Sequence, residues 1–168
     1  MQPYENLSAG DIMFKDLVVA SPDQSLAELE KLLIDSKVSG VPVVEGGRLV
    51  GVVSRSDIVR APVLMEVFDR VVTDAVDLYD NQGDAFEHKQ HEPFAGFRSG
   101  IERMTIRSIM REQVVTCSPD TPVAKVADEM LRHRIHRVIV CQGDRPVGII
   151  SSLDIVGVVR KLLNHAGS

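Results

Sequence analysis

The chain has 168 residues, 44% of them hydrophobic and 26% charged, with a formal net charge of −5. That length suits one compact domain or two small ones with enough apolar mass for a core, and the acidic balance excludes general nucleic-acid binding, which needs a basic footprint. Every apolar run is broken by a charge or a glycine, and no basic segment followed by an apolar stretch opens the chain, so neither a membrane span nor a secretory leader is expected.

In chain order, Leu17–Val19 reads as a short strand, and Ser21-Pro22-Asp23 turns the chain. Ser25 is placed to cap a helix running to about Lys37, with Leu26, Leu29, Leu32 and Leu33 as its buried stripe. Gly40–Val44 and Arg48–Val53 then form a hairpin around Gly46-Gly47, and a helix follows Ser54. An insert comes next. Pro62 starts a helix whose stripe (Leu64, Val67, Phe68, Val71, Val72, Ala75, Val76, Tyr79) must be buried against its own chain or a second subunit. From Asp80 to Gly100 the pattern is that of a polar loop. His88 and His91 lie there beside Glu87 and Glu92, a spacing open to zinc, but no cysteine is near and no metal site is expected.

The second half follows the plan of the first. Val114–Thr116 is a strand. Val123, Val126, Ala127, Met130 and Leu131 make a helix stripe. Arg137–Cys141 and Val147–Ile150 pair around Gly143-Asp144, and a last helix runs from Ser152 to about Leu163. Cys117 and Cys141 form no C-x-x-C and border apolar strands. They read as small buried hydrophobes in a reducing compartment, so a cytoplasmic location is expected.

The halves are one unit written twice. Ile12-Met13 recurs as Ile109-Met110, Ser21-Pro22-Asp23 as Ser118-Pro119-Asp120, and the run Gly51 to Asp57 as Gly148 to Asp154, each 97 residues on. About a third of the aligned positions are identical, well above chance for a fixed period. Each copy closes on Gly-apolar-apolar-Ser-x-x-Asp. The serine opens a helix whose free N–H groups and dipole favour an anion, and the carboxylate three residues on can accept ribose hydroxyls. The same spacing is also that of a capping box, and for one copy alone capping is the stronger reading. The glycine lets a ligand or another backbone come close. A basic run, Arg132, His133, Arg134, His136 and Arg137, fits a small anion or a solvated helix end.

A duplicated β-α-β-β-α unit ending in Gly-apolar-apolar-Ser-x-x-Asp, with Ser-Pro-Asp after its first strand and Ser39-Gly40-Val41-Pro42-Val43-Val44 in its second, resembles a tandem pair of CBS domains, the module named after cystathionine beta-synthase. The resemblance implies an α+β, sandwich-like fold of two pseudo-symmetric repeats packed sheet to sheet, with a helical insert between them. The expected boundaries are repeat one at 7–60, insert at 61–103 and repeat two at 104–163. It also implies a regulatory module, not an enzyme, that needs no cofactor and holds an adenine nucleotide (AMP, ADP or ATP) in the cleft between the repeats. By the same resemblance, Thr116 contacts base and sugar, His136 and Arg137 meet phosphate, Ser151 meets phosphate or ribose, and Asp154 takes the ribose hydroxyls. The first copy keeps Ser54 and Asp57, with Arg55 toward phosphate, but has Val19 in place of Thr116 and Ser39-Gly40 in place of His136-Arg137, so its site is expected to be the weaker. Two other readings stand beside this one: an interaction protein with degenerate sites, and a binder of S-adenosylmethionine. The apolar positions of 64–79 and of the last helix (Ile155, Val156, Val158, Val159, Leu162, Leu163) add the expectation of a homodimer. The effector protein is not named by the sequence, and neither nucleic acid nor membrane is an expected partner.

Overall fold

The computed structural model describes residues 7–61 and 104–166. The helix expected at 62–79 and the loop carrying His88 and His91 lie outside the described residues.

The first element is a single helical turn, α1 (Ala9–Ile12). The helix α2 (Leu26–Asp35) starts where Ser25 was expected to cap it: Ser25 Oγ accepts from the Glu28 N–H, and the Glu28 carboxylate accepts the Ser25 N–H at 2.7 Å. It buries Leu26, Leu29 and Leu33. Strands β1 (Gly40–Glu45) and β2 (Arg48–Ser54) form a two-stranded sheet. They turn through Gly46 (φ +57°) and Gly47 (φ +81°), the two positive angles that a type I′ hairpin requires. Residues 55–61 are helical (α3). After the insert come α4 (Ile106–Ile109), β3 (Thr116–Cys117), α5 (Val123–His133), β4 (Arg137–Gln142), β5 (Arg145–Ser151) and α6 (Ser152–Ala166). In the second sheet β4 is central, parallel to β3 and antiparallel to β5.

One expected strand is missing. Leu17–Val19 does not form one; the first repeat keeps a single parallel bridge, Ala20 to Val43. Ala20 donates to the Pro42 carbonyl at 3.0 Å, and Val44 donates back to Ala20 at 2.8 Å. The next bond of such a ladder would come from the nitrogen of residue 42, and proline has no N–H to give. The second repeat has Ile139 at that position, and there the ladder runs for two residues.

The chain forms two compact units that do not coincide with its two repeats. One unit draws on Met1–Ala20, Val41–Val52 and Arg111–Ser168. In it, α1 is strapped to the second repeat: Ala9 donates to Thr121 O at 2.7 Å, and Gly10 to Pro119 O at 2.8 Å. Ala9, Val126, Met130, Val138, Val140 and Ile150 form its core, with Ile12 and Met13 packed against them. The other unit draws on Ser21–Gly40 and Val53–Met110. In it, α4 is strapped to the first repeat: Ile106 donates to Gln24 O and Arg107 to Pro22 O, both at 2.9 Å. These are the same bonds 97 residues on. Each repeat therefore lends its opening strap to the other.

Candidate functional site

Four of the expected residues meet where β5 runs into α6. Arg137 pairs with Ser151 across the ladder, and the Ser152 N–H donates to the His136 carbonyl at 3.0 Å. His136 and Arg137 are both exposed at the entry to β4. Asp154 sits in the first turn of α6. Its Oδ2 accepts from the Ser151 N–H at 2.7 Å and from Ser151 Oγ at 2.6 Å. The second Asp154 oxygen takes no hydrogen bond within the described residues.

The first copy repeats this cap. Asp57 Oδ2 accepts from the Ser54 N–H at 2.9 Å and from Ser54 Oγ at 2.5 Å. Asp57 is only 7% exposed, and its Oδ1 lies 3.8 Å from Arg60 Nη1. The Arg55 guanidinium lies 3.4 Å from the Leu33 carbonyl, in the last turn of α2, and its backbone N–H donates to Ser39 O. It thus holds a helix end, a contact the sequence did not suggest.

Both Ser-x-x-Asp motifs are capping boxes. So are Ser8 with Asp11 and Ser25 with Glu28, which lie outside the duplicated motif. In those two, the serine hydrogen bonds are the main cause that lowers the carboxyl pKa. Recurrence of Ser-x-x-Asp is therefore explained by helix starts alone. What recommends Asp154 is its second oxygen, on a half-exposed side chain.

Of the two approaches expected over Gly148, the structure shows that of another part of the chain. A Cβ there would lie 2.5 Å from Met13 Sδ and 3.0 Å from Met13 Cβ. The space over the glycine is filled by the side chain of Met13, carried on the strap, and not left for a ligand.

Thr116 stands apart from the cap. It pairs with Ile139, two strands across from Ser151 and two residues out of step, which puts the Cα atoms roughly 12 Å apart at ordinary sheet spacings. Its neighbour is a cavity of about 210 Å³ lined by Leu49, Glu112, Val114, Thr116, Cys141, Gly143 and Asp144. None of the other expected site residues lines it. Asp144 is paired there with Arg48 at 2.8 Å. Sequence reading missed this cavity because it is assembled from β2, the approach to β3 and the β4–β5 turn, which no local motif links. Among the described residues no group of His, Cys, Asp and Glu could hold a metal ion, and no helix is long and apolar enough to cross a membrane.

Similarity to known proteins bears on these geometries. The uncharacterized protein MJ1426 of Methanocaldococcus jannaschii is 28% identical over 149 residues, which cover 87% of each chain. The 5'-AMP-activated protein kinase subunit gamma-3 of Homo sapiens is 25% identical over 156 residues, 92% of this chain but 26% of that one. The chain spans 40% of the uncharacterized protein MJ1232 of the same archaeon, at 25% identity over 92% of its own length. Among solved structures, the CBS domain pair of protein MJ0100, in complex with 5'-methylthioadenosine and S-adenosyl-L-methionine, superposes with a TM-score of 0.63 at 27% identity, covering 92% of this chain and 96% of that one. The CBS domain of a membrane protein from Sphaerobacter thermophilus gives 0.65 at 25%, covering 92% and 89%. The family model for the CBS domain matches twice, at residues 9–64 and 106–161, and with its α+β fold of two strapped repeats the chain belongs to the CBS domain family as a tandem pair.

Proposed function

We propose that this CBS pair is a regulatory module that takes an adenine nucleotide, AMP or ATP, at the start of α6. The carrying observation is the cluster itself: Asp154 with one oxygen that takes no hydrogen bond among the described residues, and His136 and Arg137 at the adjoining strand entry. A carboxylate is an acceptor only, matched to two ribose hydroxyls. Arg grips phosphate through parallel N–H bonds, and the N-terminus of a 15-residue helix adds its dipole. Thr116 belongs to the same reading as a supporting position, Ser54, Arg55 and Asp57 to the equivalent and weaker site of the first copy, and the complex of the MJ0100 pair with two adenosine compounds supports the nucleoside part.

Titration calorimetry with adenosine and AMP tests it. Arg137→Ala should weaken AMP by about 1.5–3 kcal/mol and leave adenosine nearly unchanged. Equal losses for the two ligands would mean that Arg137 supports the fold and not the phosphate. The S-adenosylmethionine reading is kept because that compound occupies the MJ0100 pair. It carries no phosphate but does carry a carboxylate that Arg137 can grip, so that reading is marked instead by binding of S-adenosylmethionine with no gain in affinity from adenosine to AMP.

The reading extends to assembly. Leu153, Val156 and Leu163 lie 60–77% exposed at helical spacing on α6, and the positions equivalent to Leu131 and Val156 in the first repeat, Ile34 and Val59, are exposed as well. A face that recurs in both repeats suits a second copy about a two-fold axis. A monomer mass in light scattering at micromolar concentration would remove the dimer. A cytoplasmic setting, with the unpaired thiols Cys117 and Cys141, completes the proposal.

A further inference from the structure

The helices α2 and α5 hold the same place in the two repeats, so at the 97-residue offset each position of one has a counterpart in the other. Their buried faces agree: Leu26, Leu29 and Leu33 answer to Val123, Val126 and Met130. On the exposed side the apolar positions agree as well, Ala27 with Ala124 and Ile34 with Leu131. The charges beside them are inverted. Glu28 answers to Lys125, Lys31 to Asp128 and Asp35 to Arg132, and all six side chains are exposed. Within the two helices these are the positions charged in both copies. Lys37 and Arg134, which keep their sign, lie beyond the helix ends at left-handed φ. Residues three and four apart share a helix face, so the strip of α2 reads minus, plus, minus and that of α5 plus, minus, plus.

We infer that the second copy docks crosswise: α2 of one subunit packs on α5 of its partner, and the two-fold axis makes that contact twice. The inference rests on the homodimer proposed above and names its pairing. Each strip has the same sign order from either end. α2 against the partner's α2 therefore sets like charges opposite each other at every charged position, whether the helices run parallel or antiparallel, and α5 against α5 does the same. α2 against the partner's α5 sets opposite charges there, again in either direction. The apolar positions are alike in both strips and do not distinguish the arrangements, so the charges decide. An exposed ion pair is weak by itself, but like charges set face to face penalise the wrong pairing while opposite ones support the right one. Two of these side chains also have partners in their own chain: Glu28 caps α2 through Ser25, and Arg132 pairs with Glu129 at 2.9 Å. The middle position, Lys31 against Asp128, is matched in both helix directions and carries the test.

The test is the dimer dissociation constant of the whole chain, by sedimentation equilibrium at low salt, where surface charges act most. Lys31→Glu and Asp128→Lys each turn two attractive contacts into two repulsive ones, and each should weaken the dimer by about tenfold or more. Together in one chain they restore opposite charges and should return the constant to within about threefold of wild type. Thermal melts identify any variant that is not folded, and the neutral changes Lys31→Gln and Asp128→Asn, which should each weaken the dimer by about threefold, then stand in for it. A dimer that neither single change weakens faces like with like, which overturns the inference and leaves the homodimer standing. Weakening by the single changes without recovery in the double overturns it too. A wild type that is monomeric at micromolar concentration removes the homodimer and the inference together.

Discussion

Replacing Gly148 by alanine separates a packing glycine from a ligand-binding one. The new methyl would sit 2.5 Å from Met13 Sδ, 2.8 Å from its Cγ and 3.0 Å from its Cβ. The sulfur and Cγ can swing away, but the Met13 Cβ cannot move without its backbone. That backbone is held on both sides, by the Met13 N–H to Ala9 O at 2.9 Å and by the reciprocal bonds between Phe14 and Ile149 at 2.9 and 3.0 Å. The strap must therefore shift or Met13 must leave its rotamer, an overpacking cost of about 1–3 kcal/mol. Loss of backbone freedom in the unfolded chain offsets up to about 1 kcal/mol of that. A net loss of about 1–2 kcal/mol should appear as a lower urea midpoint at unchanged slope. Met13→Ala in the same chain removes the Sδ and Cγ contacts but keeps the Cβ, so it should relieve part of the clash, with a coupling of at least about 0.5 kcal/mol in the double-mutant cycle. If Gly148→Ala keeps wild-type stability and instead lowers nucleotide affinity, the glycine serves the ligand and the packing argument fails.

Two smaller expectations follow from the same structure. Lys37 ends α2 with φ +54°, a left-handed conformation that costs a side chain roughly 1–2 kcal/mol; Lys37→Gly should raise stability in urea by about 1 kcal/mol, and a loss would mean that the lysine side chain outweighs its backbone strain. The thiols of Cys117 and Cys141 are pushed above the ordinary range, first by burial and then by each other for Cys117 and by Asp144 for Cys141. A raised folded pKa is stabilising below the unfolded value and is lost above it, so stability should decline as pH rises past about 8.5, and less so in Cys117→Ala/Cys141→Ala; an identical decline in that variant would refute the assignment.

The parts legible in the sequence were those that local chemistry decides. Ser25 and Glu28 announce a helix start, and Gly46-Gly47 a hairpin, because cap and turn are closed by neighbours three residues apart or fewer. Leu26, Leu29 and Leu33 fall on one face for the same reason. The strand at Leu17–Val19 was misread because its pattern fits a strand, while the obstacle, Pro42, lies on its partner. Leu131 was read as buried from its spacing, yet it is 77% exposed, since periodicity marks a face but not its width. His136, Arg137, Ser151 and Asp154, named through the resemblance, come together because one hairpin and the helix turn that follows it carry all four. The Arg55 contact was not legible, for its partner is a backbone carbonyl 22 residues away, and main-chain acceptors leave no trace in residue identity.

The exchange of straps makes the sequence repeat the wrong unit to cut at, and this can be tested directly. Residues 104–168 hold a whole repeat by sequence, but in the structure their core is completed by Ala9, at 0% exposure, with Ile12 and Met13 beside it. Cutting away 1–103 uncovers that core and removes the partners of Thr121 O, Pro119 O and both backbone groups of Ile149. It also strips residues 104–110 of the Gln24 and Pro22 carbonyls that hold α4. Losing Ala9, Ile12 and Met13 from a small core amounts to several cavity-forming truncations, of about 1–3 kcal/mol each, against a total stability of about 5–15 kcal/mol. Residues 104–168 alone should therefore show no cooperative urea transition, whereas the intact chain should. A peptide of residues 7–20 added in trans should restore protection of the Ile149 amide in hydrogen exchange, because it returns the Phe14 carbonyl that accepts from it. A cooperative transition in the isolated repeat, without the peptide, would show that each repeat folds alone and that the straps are accessory.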